Sequence, residues 1–296
     1  MTKPPAPPPI TYETDQPVLY EVIDGIAWVT MNRPDFKNAQ NGQMTYALDD
    51  AFMRAVADDE VGCIVLAGNG KHFSAGHDIG TPGRDLMRQF DNRLMVPPHV
   101  NKPAAELLYT REQEQYLGMC RRWRDISKPT IAMVQGACIA GGLMLAWVCD
   151  LIVASEDAFF QDPVNRMGIP GVEYFAHAFE LPPRVAKEFL LLGERMTAHR
   201  AEQFGMVNKV VSRDMLRETV ATMAAKLAAQ PRLGNWLTKQ AINHVEELRG
   251  KRTAMDAVFH MHHFAHAQND LVHGSALGGF SAKAMANTNK RQAEKP

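Results

Sequence analysis

Two apolar runs in this chain each end in a cluster of small residues, and that repetition limits what the chain can fold into. The first, Cys63 to Gly68, reads as a buried strand and leads into Lys71, His72, Phe73, Ser74, Ala75, Gly76, His77, Asp78, Ile79 and Gly80. The second, Thr130 to Val134, leads into Gly136, Ala137, Cys138, Ile139, Ala140, Gly141 and Gly142, after which 143–149 reads as an apolar helix. Strand ends rich in glycine let backbone approach a ligand closely. Two of them, each with exposed N–H groups, can converge on one oxygen as an oxyanion hole made of backbone alone. The N–H of Gly141 stands at the positive end of the following helix. A nucleophile elbow at Ser74 is incomplete, because its first glycine position is His72. Gly68 and Gly70 start a dinucleotide-type loop that stops at Phe73.

The chain has 296 residues, with 32 Lys+Arg against 33 Asp+Glu, so no electrostatic pull toward nucleic acid or a membrane surface is expected. Cys63, Cys120, Cys138 and Cys149 lie far apart and read as buried free thiols in a reducing compartment. No apolar run is long enough to span a bilayer, and the first apolar stretch is too short and proline-rich for a signal peptide. A cytoplasmic location is the expectation. Residues 1–17 carry six prolines and read as a disordered, extended arm.

Asp24-Gly25 between two β-rich runs, 18–22 and 26–31, predicts a hairpin. Residues 41–58 predict a helix with Met44, Leu48, Phe52 and Val56 on one face. Strand, helix and strand then alternate, which is an α/β pattern. Residues 106–124 predict a charged helix inside a long connection, 81–127, and long connections in compact domains are often functional. Beyond Pro182, helices are expected over 184–192, 198–204, 214–229, 232–248 and 253–267, with a loose tail from Ser275.

Phe73 to Ile79 and Gly136 to Asp150 resemble the two signature segments of the crotonase (enoyl-CoA hydratase/isomerase) superfamily. Val29-Thr30-Met31-Asn32-Arg33-Pro34, Asn38-Ala39, Lys128-Pro129-Thr130, Met167 to Gly171 and Met196-Thr197-Ala198 fit in the same order. The resemblance covers most of 18–250 and implies an α/β fold: a spiral of ββα units over 18–212, then a C-terminal all-helical oligomerisation region over 213–296. It implies a coenzyme A thioester as substrate, no further cofactor, and a homotrimer or hexamer. Carried over by position, the oxyanion N–H groups belong to His77 and Gly141. The acyl-CoA-binding positions are Asn38, Ala39, Ser74, Ala75, Gly76, Asp78, Ile79, Gly142, Met144 and Val164.

Family hydratases hold water with two glutamates, and the matching positions here are Met144 and Val164. Neither moves a proton, so hydration lacks its usual groups. The titratable candidates that remain are His77, Glu173 and Tyr174. Glu173 and His177 would share one face of a helix starting there. His77 with Pro163-Val164-Asn165 resembles the methylmalonyl-CoA decarboxylase members, although Gly171 stands where their tyrosine falls. Glu112 and Glu114 read as a charged outer face, with an inward reach as the alternative, and Asp150 as a backbone cap. His260, His262, His263 and His266 cluster near the C-terminus, but no carboxylate or cysteine close in sequence completes a metal site, and none is expected. The expectation is an acyl-CoA-processing enzyme with an unassigned reaction. The alternative is a non-catalytic acyl-CoA carrier that keeps the hole and has lost the acids.

Overall fold

The computed structural model describes residues 16–81, 85–278, 284, 287 and 288. The expected arm lies almost wholly outside the described residues, as does most of the expected loose tail. The chain order is β1 (Val18–Ile23), β2 (Ile26–Met31), α1 (Gly42–Ala57), β3 (Cys63–Gly68), α2 (Ala104–Glu112), a π-helical turn (Gln113–Gly118), α3 (Met119–Arg124), β4 (Thr130–Val134), β5 (Ala137–Ile139) and α4 (Gly141–Trp147). There follow β6 (Leu151–Ser155), β7 (Phe159–Gln161), α5 (His177–Glu180), α6 (Pro183–Leu192), β8 (Met196–Thr197), α7 (Ala198–Gln203), β9 (Lys209–Val211), α8 (Leu216–Ala228), α9 (Arg232–Leu248) and α10 (Lys251–His273).

Six strands form one sheet in the order β1-β2-β3-β4-β6-β9, and β5-β7-β8 form a second. The β1–β2 hairpin turns on Asp24 and Gly25, both at positive φ, as a two-residue turn between right-twisted strands requires. The other neighbours in the large sheet are parallel. Its interior strands are covered on both faces, which is why β3 is buried at every residue. Phe52, Leu66 and Leu143 belong to the core on one side, while Trp28, Val65, Ile131 and Val153 meet Leu216, Val220 and Ala224 of α8 on the other. Burying each such side chain contributes about 1.5–3 kcal/mol.

The spiral comes from how each turn of chain serves both sheets. β4 joins the large sheet and β5 the small one; β6 and β7 repeat the move. The chain after β3 does the same with single bridges, Ser74 to Cys138 and His77 to Gln40. This is the crotonase fold. α1 starts where Asn41 accepts a hydrogen bond from the Met44 N–H, and α9 spans the expected 232–248. α10 runs well past the expected 267. Its buried stripe continues as Met255, Phe259, His262, His266 and Asn269, so histidines hold positions where periodicity alone expects apolar side chains. No helix among the described residues is long and apolar enough to cross a membrane.

Two sequence expectations fail locally. Glu173 and His177 share no helix face, because α5 begins only at His177. The two side chains are held by different partners: His177 Nε2 lies 2.8 Å from Asp162, and Glu173 turns to His77. Glu112 and Glu114 do not form an outer face; they are 5% and 1% exposed. The helix that carries them winds through a π turn, which re-aims its side chains inward.

Candidate active site

The two glycine-ended loops meet as their sequences imply. Ser74 N–H donates to the Ala137 carbonyl at 3.0 Å, and Ile139 N–H to the Ser74 carbonyl at 3.0 Å. Glycines make this approach possible. A Cβ on Gly142 would stand 2.6 Å from the Ser74 oxygen, and one on Gly76 would stand 2.7 Å from the Ile139 oxygen and 3.1 Å from the Gly141 nitrogen. Between them Ala140 takes φ 48°, a left-handed value that costs an L-residue about 1–3 kcal/mol. Its N–H is tied to the Gln161 carbonyl at 2.9 Å, which holds the turn that presents Gly141. Gly141 is the first residue of α4, so its N–H has no acceptor within the helix. The His77–Gln40 bridge uses the Gln40 and Asp78 N–H groups and leaves that of His77 out.

The expected acyl-CoA positions divide into shapers and liners. Asn38, at positive φ and 0% exposed, accepts from Arg33 N–H and donates to the carbonyls of Asn69 and His72. Its side chain is committed to the loop and is not free for a ligand. Ser74 is equally buried, donating to the Asn38 carbonyl at 2.8 Å. Asp78 pairs with Arg33 at 3.0 Å and accepts from Thr81 Oγ1 at 2.7 Å. Burial works against its charge, but these partners hold its carboxyl below the usual range. Ala39, Ala75 and Ile79 are half-buried beside this frame, and Met144 and Val164 are buried. Asp150 anchors backbone as expected, though at a strand start: it accepts from Thr130 N–H and Oγ1 and from Lys239 Nζ.

His77 and Glu173 come together. His77 Nε2 lies 2.9 Å from Glu173 Oε2. A carboxylate only accepts, so Nε2 carries a proton; Nδ1 keeps its lone pair in the neutral ring and is protonated in the imidazolium. Nδ1 is buried with no hydrogen-bond partner, and a Cβ on Gly141 would stand 2.7 Å from it. The ring is held flat against Tyr116, with centroids 3.7 Å apart and planes 16° from parallel. Burial disfavours the Glu173 carboxylate, but the charge and hydrogen bond of His77 and the charge of His262 outweigh it and hold the carboxyl well below its ordinary range. Tyr174 lines a different cavity, beside Arg124, Lys251 and Met255.

A second buried cluster backs this pair. His262 Nε2 lies 3.7 Å from Glu173 Oε1 and 3.5 Å from Glu112 Oε2. Burial works against protonating His262, yet Glu112 and Glu173 prevail and raise its pKa to about 9. Burial instead pushes His263 down to about 4, despite the nearby Glu112. Burial and Glu173 oppose the charge on Glu112, but His262 and His266 lower its carboxyl overall. Sequence reading missed Tyr116 and this role of Glu112. The usable signal was the run of histidines continuing the apolar stripe of α10, which a polar partner on a neighbouring element had to meet.

The spiral of two sheets with C-terminal helices defines the crotonase class of fold. The enoyl-CoA hydratase/isomerase family profile matches residues 21–95 and 101–284, and the chain belongs to that family. It is 39% identical to the putative enoyl-CoA hydratase EchA13 of Mycobacterium tuberculosis, over 88% of this chain and 84% of that one. It is 32% identical to the 1,2-epoxyphenylacetyl-CoA isomerase of Escherichia coli, over 77% of this chain and 82% of the relative. A crystal structure of a probable enoyl-CoA hydratase from Mycobacterium smegmatis superposes with a TM-score of 0.79 at 43% identity, covering 88% of this chain and 98% of that one.

Proposed function

We propose that this chain is an acyl-CoA enzyme that makes and quenches an enolate beside the thioester carbonyl. The oxyanion is held by the His77 and Gly141 N–H groups. The His77 ring, oriented by Glu173, moves the proton. Nδ1 takes a proton from Cα while the C–H electron pair moves onto the thioester oxygen; the proton then returns to Cα or to a carbon further along the chain. The observation that carries this reading is the 2.9 Å His77–Glu173 contact, which leaves Nδ1 unpartnered against Gly141. It is the arrangement of a base with its orienting carboxylate.

Hydration through the usual carboxylates is not part of the proposal, because Met144 and Val164 occupy their positions. A relative named an isomerase supports enolate chemistry as the shared step. The test is exchange of α-protons in deuterium oxide over a panel of saturated and unsaturated CoA esters, followed by NMR. Exchange with at least one ester is expected, slowed about 100- to 10,000-fold in His77→Gln. Saturable binding of esters with neither exchange nor turnover would overturn the reading in favour of a carrier.

A further inference from the structure

Behind the His77–Glu173 pair, three ligand atoms converge from two elements that are far apart in sequence. His262 Nε2 and His266 Nε2 on α10 are 2.9 Å apart, and Glu112 Oε2 at the end of α2 lies 3.5 Å from the first and 3.8 Å from the second. All three residues are buried, with Glu112 5% exposed, His262 3% and His266 5%. Glu112 supplies a carboxylate to the α10 histidines from a distant element, and the three atoms together form a metal-compatible donor set.

The proton count shows what this arrangement needs. His262 Nδ1 lies 2.8 Å from the Gly171 carbonyl, and His266 Nδ1 lies 2.8 Å from the Ala276 carbonyl. Carbonyls only accept, so both Nδ1 atoms carry the ring proton. The two Nε2 atoms face each other at 2.9 Å, so a cation has to lie between or beside them: a proton shared between the rings, or a metal ion that displaces it. Among the described residues Glu112 Oε2 has no hydrogen-bond partner; the Nε2 atoms of His263, His262 and His266 lie 3.3, 3.5 and 3.8 Å from it.

We propose that Glu112, His262 and His266 bind a divalent transition-metal ion of the zinc class. A triangle with sides 2.9, 3.5 and 3.8 Å has a circumradius of about 2.0 Å, the usual length of a zinc–nitrogen or zinc–carboxylate bond. An ion near that centre lies within bonding distance of all three atoms. The hydrogen bonds from both Nδ1 atoms to backbone carbonyls are the outer-shell support that metal-bound imidazoles receive. Two neutral imidazoles and a carboxylate suit zinc, cobalt, nickel or iron(II) in preference to magnesium or calcium. His263 Nε2, buried without a partner 3.3 Å from Glu112 Oε2, and Glu173 Oε1, 3.7 Å from His262 Nε2, stand closest to a remaining coordination position. The ion would lie beside the carboxylate that orients His77, but binding it does not depend on the enolate reading.

The test uses untagged full-length protein refolded with Zn2+ or Co2+ and then dialysed against buffer without added metal. One ion per chain is expected, with a Co2+ absorption spectrum of nitrogen and oxygen ligation. His266→Gln and Glu112→Gln should each weaken binding more than about tenfold, whereas His260→Gln, an exposed histidine on the same helix, should change nothing. Circular dichroism checks the fold of each variant. If either variant fails to fold, nitrogen-15 NMR of wild-type histidines decides. Loss of any proton on both Nε2 atoms upon metal addition supports the site. A proton that persists between them in saturating metal overturns it, as does retention of metal by His266→Gln at wild-type affinity. α-Proton exchange, measured in parallel, reports on the enolate reading separately.

Discussion

The ring of Tyr116 lies within 16° of parallel to that of His77 at 3.7 Å, so the long connection 81–127 supplies the surface on which the proposed base rests. Aromatic stacking of this kind contributes about 0.5–1.5 kcal/mol beyond area burial. If that energy orients the imidazole, Tyr116→Leu lowers kcat by about 2- to 12-fold with little change in KM. Unchanged kcat in a folded variant would show that Glu173 alone fixes the ring.

Gly141 separates the two functions of His77. A Cβ there would stand 2.5 Å from His77 Cε1, the far end of a side chain that can swing aside. Gly141→Ala should therefore fold, keep its N–H, and displace the imidazole. Gly141→Pro removes the donor itself, and loss of one oxyanion donor lowers kcat about 100- to 1,000-fold. Both variants should lose turnover. Full thioester turnover in Gly141→Pro would remove this residue from the site.

Crotonyl-CoA should be a poor substrate for hydration. Water addition needs one proton removed from water and one delivered to Cα, and positioned acid/base groups contribute about 100- to 10,000-fold each. Met144 and Val164, 1% and 7% exposed, offer neither. The two losses act on one water and need not multiply. A wild-type hydration rate equal to that of the family's glutamate-bearing hydratases would mean that another pair activates water.

Acid should loosen the contact between α3 and the C-terminal helices. Glu246 accepts from Arg124 and, at 3.0 Å, from Lys251. Burial opposes its charge, but these cations outweigh that and lower its pKa. A lowered folded pKa gives stability that is present above the unfolded value near 4.3 and is lost as pH falls through the folded one. With the side chain a quarter exposed, Glu246→Gln should cost about 1 kcal/mol at neutral pH. Thermal melts of wild type and variant should converge below about pH 4. A gap that persists there would assign the effect to packing.

Assembly has its own test. Leu233, Leu237, Val245, Leu248, Phe264 and Leu271 of α9 and α10 are exposed in the single chain. Light scattering at micromolar concentration should report a trimer or a multiple of it. A monomer would leave this apolar surface unexplained.

Elements set by local chemistry were legible in the sequence: the Asp24-Gly25 hairpin, the apolar face of α1 and the glycine-ended loops. Each depends on residues a few positions apart. The meeting of Glu112 with His262 was not legible, because nothing local to either residue announces the other. Periodicity places His262 and His266 on the inner face of α10 but gives no sign of what that face touches. The inward turn of Glu112 and Glu114 stands in the sequence only as the alternative, since a charged helix reads as solvated until the π turn is seen.

That turn makes chain length count as much as composition. Residues Gln113–Gly118 join a segment whose end, Glu112, faces the histidines to one whose Trp123 donates to Asp49 at 2.9 Å. A helix advances about 100° per residue. A turn closed by i→i+5 bonds holds about one residue more than an α-helical turn, so it takes up an extra residue while the flanking segments keep their phase. Refolding the same residues as uninterrupted α-helix would rotate one segment against the other by about that angle. Glu112 and Trp123 could then no longer both face their partners, whereas removing one residue together with the turn would leave them in phase.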